Sequence, residues 1–141
     1  FYFCPLEYRG ILWPTSEHAF AAMKSDDPEV WHRMAKIHDP GEAKAWGRSL
    51  RLRENWGEVK FGFMWEILEV KFLAPLSSRN LPLDFPLRTA TARECLRKTG
   101  TKKIWEGNSW GDQIWGMTLE GDAFVGQNAL GEMLMRIRER L

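Results

Sequence analysis

NWGEVKFGFMWEILEVKFLA, residues 55–74, decides the fold class. It contains no proline, its two glycines fall early, and Val59, Phe63, Ile67 and Val70 recur at helical spacing with Met64, Leu68 and Phe72 beside them. A stripe that wide needs burial on more than one side, so the stretch is expected to be the long central helix. Asn55 followed by Glu58 resembles a capping box and marks its start.

Shorter helices surround it. Thr15 or Ser16 can accept backbone N–H bonds at the head of a segment running to Lys24. Asp27-Pro28-Glu29 supplies a cap, a proline at the first helical position and an early acid. Asp39-Pro40-Gly41-Glu42 repeats the device before a short helix that ends near Trp46-Gly47-Arg48. Residues 75–86 hold three prolines and read as a loop, Arg88–Lys98 regains helical character, and Lys103–Asn108 is expected to be a strand. Leu130, Met133, Leu134, Ile137 and Leu141 lie three and four apart in a final amphipathic helix over residues 128–141. Near the start, Tyr8-Arg9-Gly10 turns between two short extended pieces, which predicts a hairpin. The expected class is therefore mainly α, an α+β fold with a small hairpin and a few short strands, in one domain over residues 1–141.

Composition bounds the function. A chain of 141 residues, 44% apolar and 28% charged, can bury a core without a metal or disulfide. No apolar run reaches the ~20 residues that span a bilayer, and Phe1–Pro5 lack the basic start of a secretory signal, so a cytoplasmic protein with no membrane contact is expected. Cys4 and Cys95 have no CxxC partner and read as free thiols. A net charge of +1 argues against a non-specific nucleic-acid coat. Local basic groups (Arg48, Arg51, Arg53; Arg97, Lys98, Lys102, Lys103; Arg136, Arg138, Arg140) can still meet phosphate, although each also suits a solvated face.

Other residues suggest a site. Glu17, Phe20 and Lys24 share one helical face. Of eight tryptophans, Trp46, Trp56, Trp110 and Trp115 each adjoin a glycine, where backbone can approach a ligand. In NSWGDQIWG, residues 108–116, Trp110 and Trp115 bracket Asp112 and Gln113, and a base can stack there. Asn128 opens the last helix, whose N–H groups suit an anion; a plain helix cap is the alternative. Gly131, in that helix's first turn, implies close contact with a ligand or a neighbouring helix. His18 points away from Glu17 and suits a buried structural role, whereas His32 and His38 suit the surface.

Five stretches in order (CPLEYRGILWPTSEHAFAAMK, DPGEAKAWGR, NWGEVKFGFMWEILEVKF, EGNSWGDQIWG and GQNALGEMLMRIRERL) resemble the successive motifs of the NADAR superfamily, the YbiA-like family, over nearly the whole chain. The resemblance implies a YbiA-like fold and a hydrolase of N-glycosidic bonds to ribose. Similar proteins act on phosphorylated ribosylamino intermediates of riboflavin synthesis, and others remove ADP-ribose from guanine in nucleic acid. Carried over by motif, Glu17, Lys24 and Asp112 are expected at the chemistry. Phe20, Arg48, Trp56, Lys60, Trp110, Gly111, Trp115 and Asn128 are expected to bind substrate. No cofactor, no metal and no obligate protein partner are implied. ADP-ribosylated guanine of DNA or RNA is the preferred substrate, with a phosphorylated ribosylamino metabolite, or ADP-ribose binding without cleavage, as the alternatives. Two departures stand out: Ala21 occupies a position where the family commonly has glutamine, and the chain is expected to begin inside the family's first motif.

Overall fold

A computed structural model describes residues 4–74 and 89–141. They fall into two compact units, one up to Ala92 and one from Arg93.

The first unit opens with strands β1 (Leu6–Tyr8) and β2 (Ile11–Trp13), antiparallel with Tyr8 opposite Ile11. Arg9 and Gly10 both take positive φ, 54° and 72°, as the two central residues of a tight hairpin turn whose twist matches its strands. Three helices then follow three caps, as expected. The Thr15 hydroxyl accepts from the His18 N–H at the head of α1 (Ser16–Ala22). Asp27 accepts from Glu29 before α2 (Pro28–Ala35), and Asp39 from Glu42 before α3 (Pro40–Ser49). Each cap supplies an acceptor to an N–H that the first helical turn leaves unpaired.

Helix α4 (Trp56–Leu73) is the long element expected from the sequence. Its start differs: Asn55 has φ −102° and ψ 23°, outside the extended geometry of a cap, and its side chain makes no capping bond. Phe63, Ile67, Leu68 and Phe72 are buried, while Val59, Met64 and Val70 are half-buried. Helix α1 lies at the centre of the unit, touching α2, α3, α4 and β2. Buried Ala19, Ala21 and Ala22 let these neighbours approach, and Trp13, Met23, Met34 and Ile67 fill the space between them with no exposure. Burying each such large side chain contributes about 1.5–3 kcal/mol. Polar ties complete the join: the Tyr8 hydroxyl donates to the Glu66 carboxylate, and Lys71 Nζ donates to Ser16 Oγ at 3.3 Å. Burial first, then Glu66, pushes the Tyr8 phenol up to about 12, so it keeps its proton and remains a donor.

Helix α5 (Thr89–Lys98) leads into the second unit, which adds β3 (Thr118–Glu120), β4 (Ala123–Val125) and α6 (Ala129–Arg138). Strands β3 and β4 pair antiparallel, a second hairpin that the sequence had not marked individually. The strand expected over Lys103–Asn108 does not form. Among the described residues it makes one bridge, Gly107 with Met117, and the amide of Asn128 accepts from the Glu106 N–H and donates to the Ile104 carbonyl. The expected loop over residues 75–86 lies outside the described residues. With these differences, the class is α+β and mainly α, as expected.

Candidate active site

In the first unit, Glu17, Phe20 and Lys24 do share a face of the α1 segment, with Lys24 just beyond the helix proper. Helix α3 closes upon it through Gly47: a Cβ there would fall 2.8 Å from Ala21 Cβ and 3.7 Å from Lys24 Nζ. That approach brings Lys44 and Arg48, one turn apart on α3, into the electrostatic field of Glu17. Lys44 exerts the largest charge effect on Glu17, ahead of Lys24 and Arg48. It was not singled out from the sequence, although its spacing of four from Arg48 was a usable signal.

The environment moves both ionisable groups of α1. Burial pushes the Glu17 carboxyl above its ordinary range, and the three cations pull it only partly back. Burial also holds Lys24 below the usual lysine range; Glu17 opposes that shift, while Arg48 and Lys44 add to it. A carboxyl that binds its proton more readily than usual and an ammonium that yields one more readily are matched to proton transfer.

Aromatic rings flank this group. The Phe20 and Trp56 centroids lie 5.2 Å apart, and Trp56 stacks in turn on Phe63 at 6.2 Å. Lys60 is one turn along α4, with its ammonium 5.0 Å from the Phe61 ring centre. His18, next to Glu17, is fully buried: Nδ1 lies 2.8 Å from Thr15 Oγ1 and Nε2 lies 3.0 Å from the Ile37 carbonyl. A carbonyl only accepts, so Nε2 carries the proton and Nδ1 accepts from the threonine hydroxyl. His18 joins α1 to the end of the α2 segment, the structural role expected of it, and His32 and His38 are exposed.

The second unit holds the other expected residues. Trp110 is 65% exposed. Gly111 has φ 83° and begins a turn in which Asn108 bonds both the N–H and the carbonyl of Asp112. Asp112 Oδ1 accepts from the N–H groups of Ile114 and Trp115 at 3.0 and 2.9 Å, and Trp115 is half-buried. Asn128 is buried with φ 51°; its side chain accepts from the Glu106 N–H and donates to the Ile104 carbonyl, both at 2.9 Å. The anion site expected from the N–H groups at this helix entrance is not present. Those of Gln127, Asn128, Ala129 and Leu130 donate to the carbonyls of Gln113, Gly116, Ile114 and Trp115. The close contact expected at Gly131 is with backbone of the 103–108 segment: a Cβ there would fall 2.3 Å from the Ile104 carbonyl oxygen. Among the described residues, no three His, Cys, Asp or Glu side chains gather as metal ligands would, and no helix is long and apolar enough to cross a membrane.

Comparison with known proteins agrees with this architecture. The chain is similar to N-glycosidase YbiA of Escherichia coli, with 33% identity over 139 residues that make up 97% of this chain and 76% of that protein. It is also 31% identical to a riboflavin biosynthesis protein of Vibrio vulnificus over 100% of its own length but only 34% of the other, so it spans about a third of that relative. The NMR structure of Escherichia coli YbiA superposes with a TM-score of 0.68 at 33% identity, covering 96% of this chain and 71% of that one. Residues 3–141 match the NADAR domain, and the chain belongs to that family.

Proposed function

We propose that the chain is an N-glycosidase that hydrolyses the bond between a ribose carbon and a nitrogen in a phosphate-bearing substrate, with its chemistry in the first unit. The observation that carries this is the half-buried Glu17 carboxyl in the field of three cations, beside the Phe20–Trp56 pair. As the C–N bond breaks, its electron pair leaves with the nitrogen and positive charge develops at the anomeric carbon. A carboxylate at that carbon stabilises the charge and takes a proton from the attacking water, whose oxygen completes the new bond. The departing nitrogen needs a proton, and Lys24, held below the usual lysine range, is suited to donate it. Lys44 and Arg48 then meet the substrate phosphate, and Phe20 with Trp56 forms an apolar wall for the sugar and base.

Two substrates fit this chemistry. ADP-ribosylated guanine in nucleic acid is the expectation from the sequence. The names of the relatives, an N-glycosidase and a riboflavin biosynthesis protein, instead favour a phosphorylated ribosylamino metabolite. The test incubates the purified protein and its Glu17→Gln variant separately with a guanine-ADP-ribosylated oligonucleotide and with a ribosylamino 5′-phosphate, followed by chromatography with mass detection. Release of the free base or amine by the parent protein, lost in the variant, supports the reading and identifies the substrate. Unchanged substrates with tight binding retained by both proteins would replace the enzyme by a module that binds without cleaving.

A further inference from the structure

Arg53, in the segment between α3 and α4, is tied to the turn that ends α1 by both backbone and side chain. Its N–H donates to the Lys24 carbonyl at 2.8 Å, and its Nη2 donates to the Ser25 carbonyl at 2.6 Å. The Ser25 carbonyl also accepts from the Trp31 indole at 2.8 Å, so one oxygen gathers α2 and the 50–55 segment onto the residue after Lys24. The guanidinium carbon lies 4.7 Å from the centre of the buried Phe63 ring, and Nε is buried with no hydrogen-bond partner. The ring and the Ser25 carbonyl together hold this guanidinium in place.

We propose that Arg53 is a positioning residue that acts through Lys24: it clamps the Lys24–Ser25 turn, so that the Lys24 ammonium stays beside Gly47 and in the field of Glu17. Helix α1 ends at Ala22, and beyond it the N–H groups of Lys24 and Ser25 bond back only three residues, to the Ala21 and Ala22 carbonyls, so the Arg53 contacts hold a turn that the helix itself holds less firmly. The groups facing the ammonium are Glu17, Lys44 and Arg48. With the clamp released, the long lysine stem gains rotamer freedom and its charge turns to water. The catalytic part of the inference rests on the role given to Lys24 in the proposed N-glycosidase; the positional part does not.

The test uses Arg53→Lys and Arg53→Met. A lysine at position 53 keeps the charge but lacks the fork that reaches the Ser25 carbonyl while the guanidinium carbon packs on Phe63, so both variants are expected to release the side-chain half of the clamp and keep the backbone bond to the Lys24 carbonyl. Lysine Cε resonances are followed by NMR against pH, with the Lys24 signal assigned by its loss in Lys24→Met. Lys24 should titrate below the ordinary lysine range in the parent protein and return towards it in both Arg53 variants; an unmoved titration in the Arg53→Lys protein overturns the proposal. Turnover gives a second readout. Arg53→Lys should lower kcat/KM about tenfold in the parent background and less than about twofold in the Lys24→Met background, since residues that act through one another are not additive. Equal loss in both backgrounds overturns the proposal while leaving the N-glycosidase standing. Absence of turnover on any substrate would remove the enzyme reading, and the NMR titration alone would then decide the role of Arg53.

Discussion

The ring of Phe20 lies 5.2 Å from that of Trp56, tilted by 48°. Through this contact the first residue of α4 rests on the same face of α1 that carries Glu17 and Lys24, and stacking on Phe63 continues the packing along α4. Replacing Trp56 by alanine removes both ring contacts. Because Trp56 is half-buried, the expected stability loss is about 2–3 kcal/mol, below the range for a fully buried aromatic, read as a lower urea midpoint. Turnover should fall more than stability alone explains, since the wall beside Glu17 is lost. Trp56→Phe should restore most of the stability, and comparing the two variants' kcat/KM under conditions where both are folded separates wall from scaffold.

Glu17 makes a prediction in which stability and activity part company. Its folded carboxyl is raised above the unfolded value, so the protonated form is the better suited to the folded protein. That contribution is fully present below the unfolded carboxylate value, about 4.3, and is lost as pH rises through the higher folded value. At neutral pH the ionised Glu17 is therefore a cost. Glu17→Gln should melt at the same or a higher temperature than the parent protein at pH 7, with the gap closing below pH ~4, while turnover falls ~10²–10⁴-fold. A variant that loses stability at pH 7 in step with activity would show that Glu17 is a structural residue.

His18 runs the other way. Burial lowers its folded pKa below the unfolded value of about 6.5, although the Ile37 carbonyl and Asp39 oppose the shift. The neutral ring is preferred in the fold, so its contribution is present above the unfolded value and is lost as pH falls through 6.5 towards the lower folded value. Replacement by alanine at pH 8 opens a cavity, removes the donor to the Ile37 carbonyl and leaves the Thr15 hydroxyl proton without its acceptor, although the Thr15 oxygen still caps the helix, a loss of about 2–4 kcal/mol. Between pH 8 and pH 5 the parent protein should lose melting temperature more steeply than the variant. Parallel melting profiles across that range would exclude a neutral buried imidazole.

Local chemistry made most of the first unit readable. Thr15, Asp27 and Asp39 cap helices because the acceptor and the N–H it satisfies lie two or three residues apart, a distance that sequence spacing reports directly. The hairpin turn at Arg9-Gly10 was legible for the same reason. Asn55 failed as a cap because its backbone conformation, which spacing does not report, is wrong for one. The second unit was harder. The Glu106 N–H and the Ile104 carbonyl find their partner in the side chain of Asn128, more than twenty residues away, so a stretch expected to be a strand has part of its backbone bonding met by a side chain. The same long-range join explains Gly131 and fills the helix entrance that had looked open to an anion. In the candidate site, the face of α1 could be read from spacing. Lys44 could not be weighted until the closeness of α3 was known, because its effect on Glu17 comes across a helix pair.

That closeness depends on Gly47, the subject of the last prediction. A methyl group there would sit 2.8 Å from Ala21 Cβ, inside the distance that two carbons tolerate, and Ala21 has no freedom to rotate away. Alanine is otherwise the better helix former by about 1 kcal/mol, so at a roomy position Gly47→Ala would stabilise the protein. Here the helices must separate instead, at a cost of about 1–3 kcal/mol for overpacking, which outweighs the gain in propensity or roughly cancels it. The effect on the site should exceed the effect on the fold: moving α3 outward carries Lys44 and Arg48 away from Glu17 together, weakens their grip on phosphate and raises KM severalfold. Thermal melting beside a KM measurement checks both halves. A Gly47→Ala protein with raised melting temperature and unchanged KM would mean that the two helices do not need their close approach to hold the basic cluster at Glu17.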